Sequence, residues 1–177
     1  MKMKLNNVRL SFPSLFSKAK FNDVETKFEA TFLLHKEEQA DLIKKLESSI
    51  DKIAADHFKG KVPKGLKLCI ADGDEKDYDG YENHMSFKAA SNKRPTLIDR
   101  DKTPLAEEDG VLYAGCYVNA IVDFWVQDNQ YGKRINSNLL GVQFFKDGDE
   151  FGAGDSTDVT NDFESFDDFD DDDDGEF

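Results

Sequence analysis

YAGCYVNAIVDFWVQ, residues 113–127, splits cleanly by parity. Ala114, Cys116, Val118, Ala120, Val122, Phe124 and Val126 fall on one face, and Tyr113, Gly115, Tyr117, Asn119, Ile121, Asp123, Trp125 and Gln127 on the other. Strict alternation over that length predicts a strand with one face on a core. Asp128–Lys133 supplies turn chemistry, and Ile135–Phe145 returns as a second long strand, which predicts a hairpin. The outward face carries Tyr117, Asn119 and Trp125 in place of a charged, solvated set. Aromatic rings beside amides on an open sheet face suit the stacking of bases; rings lying under a loop or helix are the other reading.

Working outward toward the N-terminus, Met85–Ser91 reads as a short strand, and Phe28, Ala30, Phe32 and Leu34 mark another. Val8, Leu10 and Phe12 alternate with Arg9 and Ser11 in a first strand that Phe12-Pro13 is expected to end. Between Lys36 and Phe58 the period changes, with Ile43, Leu46, Ile50, Ile53 and His57 recurring at three- and four-residue steps. That pattern predicts an amphipathic helix stopping near Gly60, with His57 a C-terminal helix residue and not a ligand. Five principal strands, one helix and long loops fit a small, mainly β Greek-key barrel better than a sandwich.

The chain has 177 residues, room for one ordinary domain and an appendage. Its net charge of −14 divides unevenly, because residues 151–177 hold twelve Asp or Glu and no Lys or Arg. The first 150 residues are nearly balanced, with 25 acidic and 23 basic side chains. The acidic segment, with Phe163, Phe166, Phe169 and Phe177 spaced among its carboxylates, is expected to be disordered, since it cannot bury enough apolar surface to offset ordering entropy and self-repulsion. Aromatics among acids suggest docking to partners or competition for a basic groove. We therefore divide the chain into a domain at 1–152 and a tail at 153–177. No apolar run approaches the roughly 20 residues of a membrane span, and no apolar core follows Lys2 and Lys4, so a cytoplasmic location is expected. Cys69 and Cys116 are the only cysteines and suggest reduced, structural thiols.

Catalytic constellations are absent from the sequence: there is no Walker loop, dinucleotide fingerprint or nucleophile elbow. His35, His57 and His84 have no zinc spacing, and no cofactor is implied. The acidic run Asp72–Gly80 invites a calcium reading, but it would place Ser86 where an EF-hand needs a bidentate Glu. Binding is better provided for. Basic and aromatic residues co-occur in Ser11–Lys27, Met85–Lys102 and Tyr113–Arg134, the combination that sequence-tolerant binding of single strands requires. The candidate stacking residues are Phe16, Phe21, Tyr117, Trp125 and Tyr131. The candidate phosphate contacts are Lys18, Lys20, Lys88, Lys93, Arg94, Lys133 and Arg134. Phe166, Phe169 and Phe177 are the candidate docking residues of the tail.

Arg9-Leu10-Ser11-Phe12-Pro13 with Leu15-Phe16, Phe28-Glu29-Ala30-Thr31-Phe32-Leu33, and Arg94-Pro95 with Asp99 follow one another along the chain. Tyr113–Ala120 and Tyr131-Gly132-Lys133-Arg134 with Gly141-Val142-Gln143 complete the set. On these pieces the chain resembles, over residues 5–152, a bacteriophage family of single-stranded DNA-binding proteins. The resemblance implies an OB-fold barrel, single-stranded DNA as ligand, and a role in phage replication or recombination within the infected cell. The tail is similar to the acidic, Phe-terminated tails of bacterial and phage single-strand-binding proteins, which implies replication or recombination proteins as partners. Two rival readings are a DNA-mimicking inhibitor, in which the acidic surface acts, and a metal-dependent nuclease.

Overall fold

Five long strands carry the fold in the computed structural model, which describes residues 2–151 and 163–165. They are β1 (Lys2–Ser14), β2 (Phe28–His35), β3 (His84–Ser91), β4 (Tyr117–Asn129) and β5 (Gly132–Lys146), with one helix, α1 (Ala40–His57), between β2 and β3. β4 pairs antiparallel with β1, β1 with β2, and β2 with β3. β5 pairs antiparallel with β4 along its length and meets β3 in a parallel bridge at Asn138–Ala90. The order 1-2-3-5-4 thus closes on itself, which is the Greek-key barrel of the OB-fold. Closure is made in three pieces, because Lys67–Leu68 and Thr96–Ile98 also run parallel beside β5.

Parity along β4 holds as read: Val118, Ala120 and Val122 are buried, and Trp125 is exposed. The strand starts at Tyr117 and not at Tyr113, for a local reason. Gly115 has φ +112°, and a Cβ there would meet the Asp149 carbonyl oxygen, so the backbone turns where the sequence alternation had run straight on. β1 departs further from expectation. It begins at Lys2, and its register with its neighbours shifts between Leu5 and Val8 and again between Ser11 and Ser14. At the first shift Asn7 has φ +56°, and Leu5 and Val8 both stay inside. At the second, Leu10 and Ser11 are both buried while Phe12, at φ +46°, turns outward, and pairing continues to Ser14. Each β-bulge inverts the facing that strict alternation assigns to the residues beyond it.

The core is one cluster. Phe32, Leu34, Phe87, Leu5, Leu10, Val118, Ile135 and Leu139 are wholly or almost wholly buried, and α1 adds Ile43, Leu46, Ile50 and Ala54. Truncating Phe32 or Phe87 to Ala would cost about 3–5 kcal/mol. Gln39 fixes the start of α1 by donating to the carbonyls of Asn6 and Asn7 at the first β1 bulge, both at 2.9 Å. Lys59 and Gly60, at φ +53° and +81°, end the helix in left-handed conformation. No helix of the described residues is long and apolar enough to cross a membrane.

Candidate nucleic-acid interface

Outward positions of β3, β4 and β5 meet in a groove of about 560 Å³. β4 supplies Trp125 and Gln127, β5 supplies Arg134 and Asn136, and the register pairs Trp125 with Asn136 and Gln127 with Arg134. Asn136 Nδ2 donates to Gln127 Oε1 at 3.2 Å, which holds two amides side by side. From β3 come Ser86, Lys88 and Ala90; Leu68, Cys69 and Ala71 complete the apolar part. Tyr131 stands at the β4–β5 turn with 78% of its surface exposed. Lys27 enters from the end of the β1–β2 loop, its Nζ 5.8 Å from the centroid of Trp125, which is 38% exposed. OB-folds bind oligonucleotides across the face of strands 2 and 3 with the loops between strands 1–2 and 4–5, and this groove shares strand 3 and both loops with that surface while taking β4 and β5 in place of β2.

The lining carries Lys27, Lys76, Lys88 and Arg134 and no carboxylate. Glu29 reaches Lys88 from outside it, at 3.7 Å across two partly exposed side chains. Burial pushes the Cys69 thiol up to about 12, so it stays protonated. Ser137 Oγ, also in the lining, is the one buried side-chain polar atom without a hydrogen-bond partner among the described residues.

Four of the residues expected from sequence line this groove: Trp125, Tyr131, Lys88 and Arg134. Phe21 is exposed on a two-stranded hairpin, Lys20–Phe21 with Val24–Glu25, which projects within the β1–β2 loop together with Lys20. Lys18 lies just before the base of that hairpin, where Ala19 N donates to Lys27 O at 2.8 Å. Phe16 is half-buried against the core, with Arg94 over its ring at 5.3 Å, outside the groove. Lys93 is exposed in the turn after β3. Lys133 lies 5.7 Å over Phe58 at the end of α1, and Tyr117 is bracketed by Arg9 at 5.6 Å and Lys146 at 4.9 Å. Neither lines the groove. Phe166, Phe169 and Phe177 lie outside the described residues.

Lys27, Lys76, Gln127 and Asn136 were not singled out from sequence. Parity on β4 and β5 could have found the amides; Lys76 was hidden in the acidic run Asp72–Gly80. Lys36, expected to open the helix, instead fixes that run. Its Nζ lies 2.6 Å from both Asp72 Oδ1 and Asp74 Oδ2, and Asp74 Oδ1 also accepts from Asn83 N at 2.8 Å. Hydrogen bonds to the two carboxylates raise the Lys36 pKa, and the bond from Lys36 lowers those of Asp72 and Asp74. Among the described residues no three His, Cys, Asp or Glu side chains gather as metal ligands would.

Comparison with known proteins gives consistent results. A family model described as "Enterobacter phage Enc34, ssDNA-binding protein" matches residues 1–176. Protein p50 of Acyrthosiphon pisum secondary endosymbiont phage 1 is 40% identical over 164 residues, covering 87% of this chain and 88% of that protein. The single-stranded DNA-binding protein of bacteriophage Enc34, solved in complex with ssDNA, superposes with a TM-score of 0.77 at 33% identity, over 85% of this chain and 89% of that one. The single-stranded DNA-binding protein gp2.5 of bacteriophage T7 shares the fold at a TM-score of 0.58 and 10% identity, over 93% of this chain and 95% of that one.

Proposed function

This chain belongs to the family of the Enterobacter phage Enc34 ssDNA-binding protein, and on that premise we propose that it coats single-stranded DNA without catalysis, holding the strand in the Trp125–Tyr131 groove. The carrying observation is the lining of that groove, with four cations, two aromatic rings, two amides and no carboxylate. Cations neutralise phosphates whatever the sequence, and every base has a π-face to stack, so binding is largely sequence-independent. The relative solved with ssDNA supports the same ligand.

Residues 1–152 act as the binding domain and 153–177 as an acidic tail that recruits replication or recombination proteins in the infected cell and competes with DNA. Support for the tail's role comes from sequence: twelve carboxylates and no cation, interrupted by phenylalanines. A gel shift of labelled oligonucleotides with and without magnesium tests the reading. The expected result is an intact, shifted single strand in both conditions. Degradation with magnesium would establish a nuclease, and failure to shift DNA beside capture of a DNA-handling enzyme would establish a mimic; either overturns the proposal.

A further inference from the structure

Phe12 is held in an unusual way. An aromatic residue with φ near +46° is a backbone outlier, and such outliers persist where the surroundings over-determine them, often at ligand sites. The bulge between Ser11 and Ser14 turns its ring outward, leaving it 56% exposed. It meets Tyr78, itself 51% exposed, edge-on with centroids 5.0 Å apart. Both rings rest on Tyr81, at 6.5 and 5.2 Å, which is buried and fixed by a 2.8 Å hydrogen bond between its hydroxyl and Ser11 Oγ. A buried, hydrogen-bonded tyrosine thus mounts two rings that face solvent.

These rings adjoin the groove. A depression of about 230 Å³ lies against them on the outer face of β2 and β3, and Lys76, Ser86 and Lys88 line both it and the groove. Glu29 also lines the depression, 3.7 Å from Lys88, so two cations against one carboxylate stand between the Trp125 ring and the Phe12–Tyr78 pair, where phosphates between stacked bases would lie. A second depression of about 390 Å³ also borders these rings, lined in addition by Pro13, Asp79, Ala114 and Phe151.

We infer that the Phe12–Tyr78 pair is a second stacking platform, so that single-stranded DNA runs from Tyr131 and Trp125 past Lys88 and Lys76 across β3 and β2 to Phe12. The inference rests on the groove reading above, and its occupant is the continuation of the same strand. Continuity through shared residues and the net positive charge that Lys76 and Lys88 leave beside Glu29 favour DNA over a protein segment.

The test uses the full chain with oligo-dT of about 4 and about 16 nucleotides, lengths that bracket OB-fold site sizes. Phe12→Gly removes the ring and keeps a residue at ease at positive φ; Tyr78→Ala removes its partner, and Trp125→Ala is the reference. The platform predicts that Phe12→Gly and Tyr78→Ala each weaken the long oligonucleotide by about 5- to 150-fold, the range for one lost stack, and leave the short one unchanged. Trp125→Ala is expected to weaken both. If Trp125→Ala weakens both while Phe12→Gly and Tyr78→Ala weaken neither, or weaken the two lengths equally, the platform is refuted and the groove stands. If Trp125→Ala weakens neither, the groove reading falls and the path with it.

Discussion

Trp125 is the only tryptophan in the chain, so its fluorescence reports one place. The ring is 38% exposed in the groove wall, with Lys27 5.8 Å from its centroid. Replacing it with Ala removes one stacking platform, worth about 1–3 kcal/mol per base, and weakens single-strand binding by roughly 5- to 150-fold. The cost to folding is smaller. An exposed cation–π contact contributes about 0.5–1 kcal/mol, whereas Phe87→Ala in the core would cost about 3–5 kcal/mol. Trp125→Phe keeps a π-face and should retain most of the affinity. In wild type, titration with oligo-dT should quench the fluorescence in proportion to the fraction bound by gel shift. Tyr117→Leu is the informative control, because Tyr117 shares the outward parity of β4 without lining the groove. DNA that saturates the protein while the fluorescence stays unchanged would refute the groove as the binding site, and a larger loss from Tyr117→Leu than from Trp125→Ala would move the site along the strand.

Other expectations come from the same geometry. With four cations lining the groove, log affinity should fall against log salt by about 0.7 per phosphate neutralised, a slope near −3; Lys76→Ala should flatten it by about 0.7 and Lys133→Ala should leave it unchanged, and full affinity at molar salt would exclude the electrostatic half of the reading. Deleting Asp155–Phe177 should tighten single-strand binding at low salt, since a tethered competitor acts at roughly millimolar effective concentration; the gain should shrink as salt screens charge over about 10 Å at about 0.1 M, and no gain at low salt would leave the tail only a recruiting role. Lys36→Met should lower stability between about pH 5 and pH 9, measured by urea unfolding. Asp72 and Asp74 are held below their ordinary 3.8, so their contribution is present above that value and lost as pH falls through the folded values; Lys36 is raised above 10.5, so its contribution is present below that value and lost as pH rises through its folded value. A gap between wild type and Lys36→Met that persists undiminished at about pH 2 would show that the ion pair is not its source.

How far the sequence could be read depended on the range of the physics behind each feature. β4 was legible because a one-sided strand writes its burial into every second residue, and Val118, Ala120 and Val122 are all buried. α1 was legible for the equivalent reason at helical period, with Ile43, Leu46 and Ile50 inside. β1 was legible only between its bulges, where Val8 and Leu10 are buried as read; Asn7 and Phe12 take positive φ and each bulge inverts the period, so Phe12, grouped by parity with Val8 and Leu10, points the other way. Parity gives a face but not a height along it. Tyr117 and Trp125 share a face yet stand eight residues apart, roughly 26 Å at about 3.3 Å per residue, so only one reaches the groove. Lys76 and Tyr78 were obscured by acidic neighbours, because what organises that run is Lys36, brought to Asp72 and Asp74 by the fold.

The groove exists because of how the barrel closes. β3 and β5 share one parallel bridge, Asn138–Ala90, where the other strand pairs share extended antiparallel ladders. Toward the β4–β5 turn the partner of β5 is no longer β3 but Lys67–Leu68, opposite Arg134 and Ile135. β3 and β5 therefore separate, and the space between them receives Leu68 and Cys69, with Ser86 and Lys88 from one strand and Arg134 and Asn136 from the other. Every one of these strand residues occupies an outward position, while Phe87, Ile135 and Leu139 keep the inward ones. Binding and folding thus draw on alternate residues of the same strands. Substitutions at Lys88, Arg134 or Asn136 can change affinity with little change in stability, whereas a change that lengthened the β3–β5 ladder would close the groove without touching any residue that binds.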